Sequence, residues 1–264
     1  MSLPSYETLE TDRSGDVVTL LMNRPQQRNA LSPQLDADLR NAFDALSGEQ
    51  SVRCVVLRGA GGSFCAGADL TVLKGQPTPE EMYDHLTTRY LPLVQAITCL
   101  DVPVIAGIEG TAAGAGLSLA LACDLRVMAA DAQLVTAFSS IGFVPDSGAS
   151  YFLARQIGYS RAFEIAAESK PLPADRCETL GLTNRVVPPD DLAEATAEWA
   201  ADLAERPTLA LGLTKRTLRH AQTHSLEDVV RYEAELQKST LTSADHAEGL
   251  AAFLEKRAPE FEGK

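Results

Sequence analysis

The chain has 264 residues, 45% of them hydrophobic, enough to close one core that buries roughly three quarters of the unfolded surface. Acidic residues outnumber basic ones 36 to 23, a formal charge of −13, which argues against a nucleic-acid partner because phosphates are held by net positive faces. No apolar run approaches a membrane span, and the N-terminus has no basic flank ahead of an apolar core, so the chain is expected in the cytoplasm with no membrane partner.

In chain order, VVTLLMN (17–23) is rich in β-branched and aliphatic residues and reads as a strand that Pro25 ends. Ser32 is an N-cap with Pro33 at the first helical position, and Leu35, Leu39, Phe43 and Leu46 recur on one stripe of the helix that follows. VRCVVLRG (52–59) is a buried strand, and GAGGSFCAGADL behind it holds too much glycine for regular structure. A stretch from Lys74 to Pro79 leads into one helix that runs to about Cys99. A strand at 102–108, the turn GTAAGAG, a helix through Ala122 and a strand at DLRVMA come next. The second half reads as helices near 150–168, 173–180, 190–205, 207–222, 225–241 and 243–257, with one strand at NRVVP (184–188). Alternation first and helices last define an α/β core over 1–200 and a helical C-terminal region over 201–264.

Cys54, Cys65, Cys99, Cys123 and Cys177 show no CxxC spacing and fit reduced thiols better than disulfides or zinc. His220 and His224 stand four apart in HAQTH, but Ala221 replaces the glutamate of a metalloprotease HExxH, so a solvated helix face is expected and no metal.

Chemistry is concentrated in GTAAGAGLSLALACD (110–124), which admits three readings. A dinucleotide site needs GxGxxG at the first strand-to-helix turn and an acid about 20 residues on; Leu119 stands at the third glycine and the turn lies mid-chain. A hydrolase elbow needs GxSxG; GLSLA supplies Gly116 and Ser118 but ends in Ala120. The third reading pairs this turn with FCAGADL: small residues leave backbone N–H groups unobstructed, a helix N-terminus favours an anion, and two such groups meeting at one oxygen form an oxyanion hole.

With that pairing, the chain resembles the crotonase superfamily, the enoyl-CoA hydratase/isomerase group. The matching pieces follow in the family's order: NRPQQRNAL (23–31), SFCAGADL (63–70), VPVIAGIEGTAAGAG, LALACDLRV, IGFVPDSGAS (141–150), GLTNRVVP and EGLAAFLEKRAPEF. The resemblance implies a spiral of ββα units (the ClpP-like α/β fold) with a helical C-terminal region that packs on neighbouring subunits in a homotrimer or dimer of trimers. It implies an acyl-CoA substrate whose coenzyme A is part of the substrate, with no separate cofactor. By position the oxyanion donors are Ala66 and Ala115, with Gly114 one residue away as an open alternative. Coenzyme A contacts fall on Arg28, Asn29, Ala30, on the loop Ala66, Gly67, Ala68, Asp69, and on Phe253 and Lys256.

The departures from the family decide the chemistry expected. The two hydratase glutamates fall on Ser118 and Phe138, neither of which is a carboxylate base. Asp146 in VPDSGAS matches the position where the isomerase branch carries its acid. A double-bond shift needs one base, which takes the C2 proton and returns it at C4 while the hole holds the dienolate. A pocket closed by Phe138, Phe143 and Tyr151 is expected to raise the Asp146 pKa and exclude water. Read without the family, Asp146 is a turn residue after Pro145. Asp69 is expected to brace the oxyanion loop.

Overall fold

The computed structural model describes residues 4–72 and 77–264; part of the Lys74–Pro79 stretch, residues 74–76, lies outside the described residues. Strand β1 (Leu9–Ser14) pairs antiparallel with β2 (Val17–Met22) across a turn at Gly15, whose φ is +60°. From there each turn of the chain lays one strand in a large sheet, one short extended segment in a second layer, and then a helix. The first turn is β2, the bridge residue Leu31 and α1 (Pro33–Leu46). The second is β3 (Cys54–Gly59), residues 64–69, and the helical run α2 (Pro79–His85) and α3 (Leu91–Cys99). The third is β4 (Val104–Ile108), β5 (Thr111–Ala113) and α4 (Ala115–Ala122). The fourth is β6 (Leu125–Ala129), β7 (Gln133–Val135), α5 (Ala149–Ile157) and α6 (Tyr159–Glu168). This is the expected ββα spiral.

After it come β8 (Leu172–Pro173), α7 (Ala174–Leu180), β9 (Arg185–Val187) and α8 (Leu192–Ala204). The large sheet runs β1-β2-β3-β4-β6-β9, parallel from β2 onward, and the small one β5-β7-β8. Burial on both faces explains why β4 and most of β3 are apolar without alternation. Leu35, Leu39, Phe43 and Leu46 form the buried stripe of α1, and the Ser32 hydroxyl accepts the Leu35 N–H as the cap.

Helix α8 packs across β3, β4 and β6, so it belongs to the core. The helical region begins with α9 (Thr208–Ala221) and continues through α10 (Leu226–Leu241) and α11 (Ala244–Glu255). Arg53, entering β3, ties it down by donating to Thr208 Oγ1 and to the carbonyls of Arg206 and Phe261.

Three sequence expectations change. β1 was not anticipated: LETDRS is exposed after Leu9 and carries no apolar alternation. The 79–99 helix is not uniform but widens to π pitch at Leu86–Tyr90, just before Pro92, which lacks the N–H that the Thr88 carbonyl would otherwise accept. The 150–168 block is two helices, because Gly158 takes φ +79° between α5 and α6.

Candidate active site

The second layer brings the two glycine-rich turns together. Leu31 N–H donates to the Gly67 carbonyl (2.7 Å) and Asp69 N–H to that of Leu31 (3.1 Å). On the other side Cys65 N–H donates to Thr111 O (3.1 Å) and Ala113 N–H to Cys65 O (2.9 Å). Glycine is required where they touch: a Cβ on Gly116 would stand 2.3 Å from Cys65 O, and one on Gly67 would stand 2.8 Å from Ala113 O and 3.5 Å from Ala115 N.

The donors differ in availability. Ala115 is the first residue of α4, so its amide is among those a helix leaves without an intrahelical acceptor, at the positive end of the dipole. Gly114 is not an available donor, because its N–H goes to Val135 O at 2.9 Å. The Ala66 N–H is also engaged, on the Arg28 carbonyl at 3.0 Å, which corrects the picture of two idle amides. Serving an acyl oxygen requires Ala66 to share or exchange that bond.

Two neighbouring side chains hold the loops. Asn29, fully buried with φ +55°, accepts from Arg24 N (2.9 Å) and donates to Ala60 O (2.9 Å) and Ser63 O (2.7 Å). Arg24, which sequence reasoning missed, donates to Asp69 Oδ2 (2.8 Å) and to the Ala30 carbonyl. Asp69 Oδ1 accepts from Thr71 N (3.1 Å) and Oγ1 (2.6 Å). Burial acts to raise the Asp69 pKa, but the Thr71 bonds and the Arg24 guanidinium outweigh it and hold the carboxyl below its ordinary value. It is a brace, and a poor base. The arginine in NRP was legible as polar; its partner 45 residues on was not.

Ser118 and Asp146 meet. Ser118 is fully buried in α4, and its Oγ donates to the backbone carbonyl of Asp146 at 3.1 Å, so the hydroxyl anchors the Asp146 turn and is not poised as a nucleophile. Ser147 follows with φ +52° and donates its hydroxyl to Asp146 Oδ1 at 2.8 Å. Partial burial raises the Asp146 pKa above the ordinary carboxylate value, against the lowering effect of the Ser147 bond. Phe138 is 6% exposed, and its ring edge lies 4.0 Å from where a Gly114 Cβ would be.

Other expected members stay apart. Phe143 and Tyr151 do not close a pocket in one chain: they are 47% and 41% exposed, and Tyr151 OH donates to Gln222 Oε1 on the surface (3.2 Å). Phe253 and Lys256 lie exposed at the end of α11, which packs on α10. Arg28 is exposed with φ +48°, while Ala30 is buried. Gly67 and Ala68 lie in the zipped loop between Leu31 and Asp69. His220 and His224 stack at 3.6 Å between ring centroids. No group of three or more His, Cys, Asp or Glu among the described residues could hold a metal ion. The five cysteines are unpaired, and burial pushes the thiols of Cys54, Cys65, Cys123 and Cys177 up to about 12, where they are inert.

The fold is thus a ββα spiral in which a helix N-terminal amide faces a second glycine-rich loop. The family model described as enoyl-CoA hydratase/isomerase matches residues 12–264. The chain is 37% identical to 1,2-epoxyphenylacetyl-CoA isomerase of Escherichia coli, over 94% of this chain and 95% of that one. It is 36% identical to a Rhodobacter capsulatus protein named "Probable enoyl-CoA hydratase", over 98% and 100% of the two chains. The crystal structure of an enoyl-CoA hydratase from Bacillus anthracis superposes with a TM-score of 0.92 at 32% identity, covering 98% of this chain and 100% of that one. The chain belongs to the enoyl-CoA hydratase/isomerase family, within the crotonase superfamily, and is an acyl-CoA enzyme. No helix among the described residues is long and apolar enough to cross a membrane.

Proposed function

We propose that this enzyme shifts the double bond of a 3-enoyl-CoA to the 2-position, with Asp146 as its single acid/base. The observation that carries this reading is the arrangement around Asp146: the two hydratase glutamate positions hold Ser118 and Phe138, Ser118 binds the Asp146 main chain, and Asp69 is spent on Arg24 and Thr71. The Asp146 carboxylate takes the C2 proton. The electron pair moves onto the thioester oxygen to give a dienolate, which the amides of Ala115 and Ala66 stabilise. Reprotonation by the same carboxyl at C4 returns the electrons and leaves the bond between C2 and C3. Arg28, Ala30 and the loop Ala66–Asp69 hold the coenzyme A end, with Phe253 and Lys256 supplied by a neighbouring subunit.

A second reading is ring-opening isomerisation of an epoxide-bearing acyl-CoA on the same site, favoured by the 37% identity to the E. coli enzyme. The test offers wild type and Asp146→Asn a 3-enoyl-CoA, a 2-enoyl-CoA and an epoxyacyl-CoA separately. The proposal expects shift of the 3-ene, no water addition to the 2-ene, and loss of roughly three orders of magnitude in the variant. Turnover of the epoxide alone selects the second reading. Binding of coenzyme A thioesters with no turnover would leave a non-catalytic acyl-CoA-binding subunit.

A further inference from the structure

Arg126, the second residue of β6, is 5% exposed, and a buried guanidinium ordinarily faces a carboxylate. This one does not. No ion pair among the described residues includes it, and the neighbouring acid, Asp124, is held by Lys215 Nζ at 2.6 Å and by Val104 N–H at 2.8 Å. The partners of Arg126 are main-chain carbonyls: Nε donates to Leu182 O (2.6 Å), and Nη1 donates to Cys123 O (2.8 Å) and, at 3.5 Å, to Ala120 O.

Ala120 lies in the last turn of α4 and Cys123 is its cap residue. Carbonyls there lack an intrahelical amide and carry the negative end of the helix dipole. Arg126 therefore sits at the opposite end of α4 from Ala115, a helix length of about 12 Å away at 1.5 Å per residue. A helix dipole at the surface is damped by water and salt. Here every residue of α4 is buried, so charges at its two ends act on each other through protein, where the effective dielectric is well below that of water. Arginine keeps its charge in such surroundings. An enolate oxygen at the Ala115 end is repelled by the negative end of α4, and a cation seated on that end opposes the repulsion.

We propose that Arg126 is a positioning residue for the oxyanion hole: its fixed charge offsets the negative end of buried α4, so that the Ala115 amide faces the enolate oxygen with the positive potential of the helix undiminished. This rests on the reading of Ala115 as an oxyanion donor.

The test compares Arg126→Lys, which keeps the charge, with Arg126→Gln, which keeps a donor and loses the charge. Both are read by turnover of a 3-enoyl-CoA. Both are also read by infrared spectroscopy of a bound saturated acyl-CoA, labelled with carbon-13 at the thioester carbonyl, whose stretch falls as the hole polarises it. Arg126→Gln is expected to lower kcat roughly tenfold with KM level and to move the stretch back toward its value in water. Arg126→Lys keeps kcat and stretch near wild type, even with a lower unfolding midpoint. A merely structural role lowers the unfolding midpoint of both variants and leaves the stretch of the folded enzyme where it was. That result overturns the proposal, as does wild-type kcat in a folded Arg126→Gln. If Arg126→Gln does not fold, Arg126→Lys decides: a retained carbonyl shift supports the role of the charge, and a lost one overturns it. Ala115→Pro separates the two readings. If it leaves the stretch unmoved, the oxyanion reading fails and this one with it; if it moves the stretch and Arg126→Gln does not, only the role of Arg126 fails.

Discussion

The surroundings of Asp146 and Asp69 push the two carboxyls in opposite directions, and the proposed roles, a reacting acid and a fixed charge, call for that difference. Asp146, raised by burial, destabilises the fold when ionised: its penalty is absent at low pH and appears as pH rises through the unfolded and then the folded pKa. Asp146→Asn is therefore expected to unfold at a higher temperature than wild type at pH 7 while losing activity, and calorimetry with an activity assay checks both. On the proposed acid/base role, activity of the wild type is expected to fall as pH drops through the raised pKa, which a pH–rate profile checks. Asp69, held low, contributes stability that is present above its unfolded pKa and is lost as pH falls through the folded one. Asp69→Asn is expected to cost about 2 kcal/mol at pH 7 by leaving Arg24 short of a charged acceptor, measured by denaturant unfolding. Asp146 stood out as a candidate because its fragment has a family frame. The commitment of the Ala66 amide to Arg28 was not, since a loop's hydrogen bonds are set by whichever segment folds beside it.

At the scale of elements, α4 offers a direct test of the oxyanion hole. Proline is tolerated at the first helical position, where its missing N–H breaks no helical bond. Ala115→Pro should preserve circular dichroism and lower kcat by roughly two to three orders of magnitude; an unchanged kcat would remove Ala115 from the hole. Elements with strong local signals were readable: Ser32-Pro33 and the apolar stripe place α1, and the all-apolar runs place β3 and β4. Those defined by partners were not. β5 and β7 are three residues each and exist because they pair with each other, and polar β1 exists because β2 offers it an edge. Asp146 meets Ser118 of α4 because α5 packs on α4, a contact no local pattern announces.

For the whole molecule, the helical end carries exposed apolar side chains. Leu218, Leu226, Leu241, Leu250, Phe253 and Leu254 on α9, α10 and α11 are each more than half exposed, and packing between subunits would cover them. We expect sedimentation to report a trimer or a dimer of trimers, and Leu226→Asp with Leu241→Asp to shift it toward monomer and weaken coenzyme A binding through Phe253 and Lys256. A variant that stays assembled would place the interface elsewhere. The most direct test of the central claim follows the proton itself. A 3-enoyl-CoA deuterated at C2 is turned over once in ordinary water by excess enzyme, and the product is read by NMR. A single half-buried carboxyl predicts that part of the label reappears at C4 and that Asp146→Asn forms no product. Product with no label at C4 and undiminished turnover by Asp146→Asn would contradict the account.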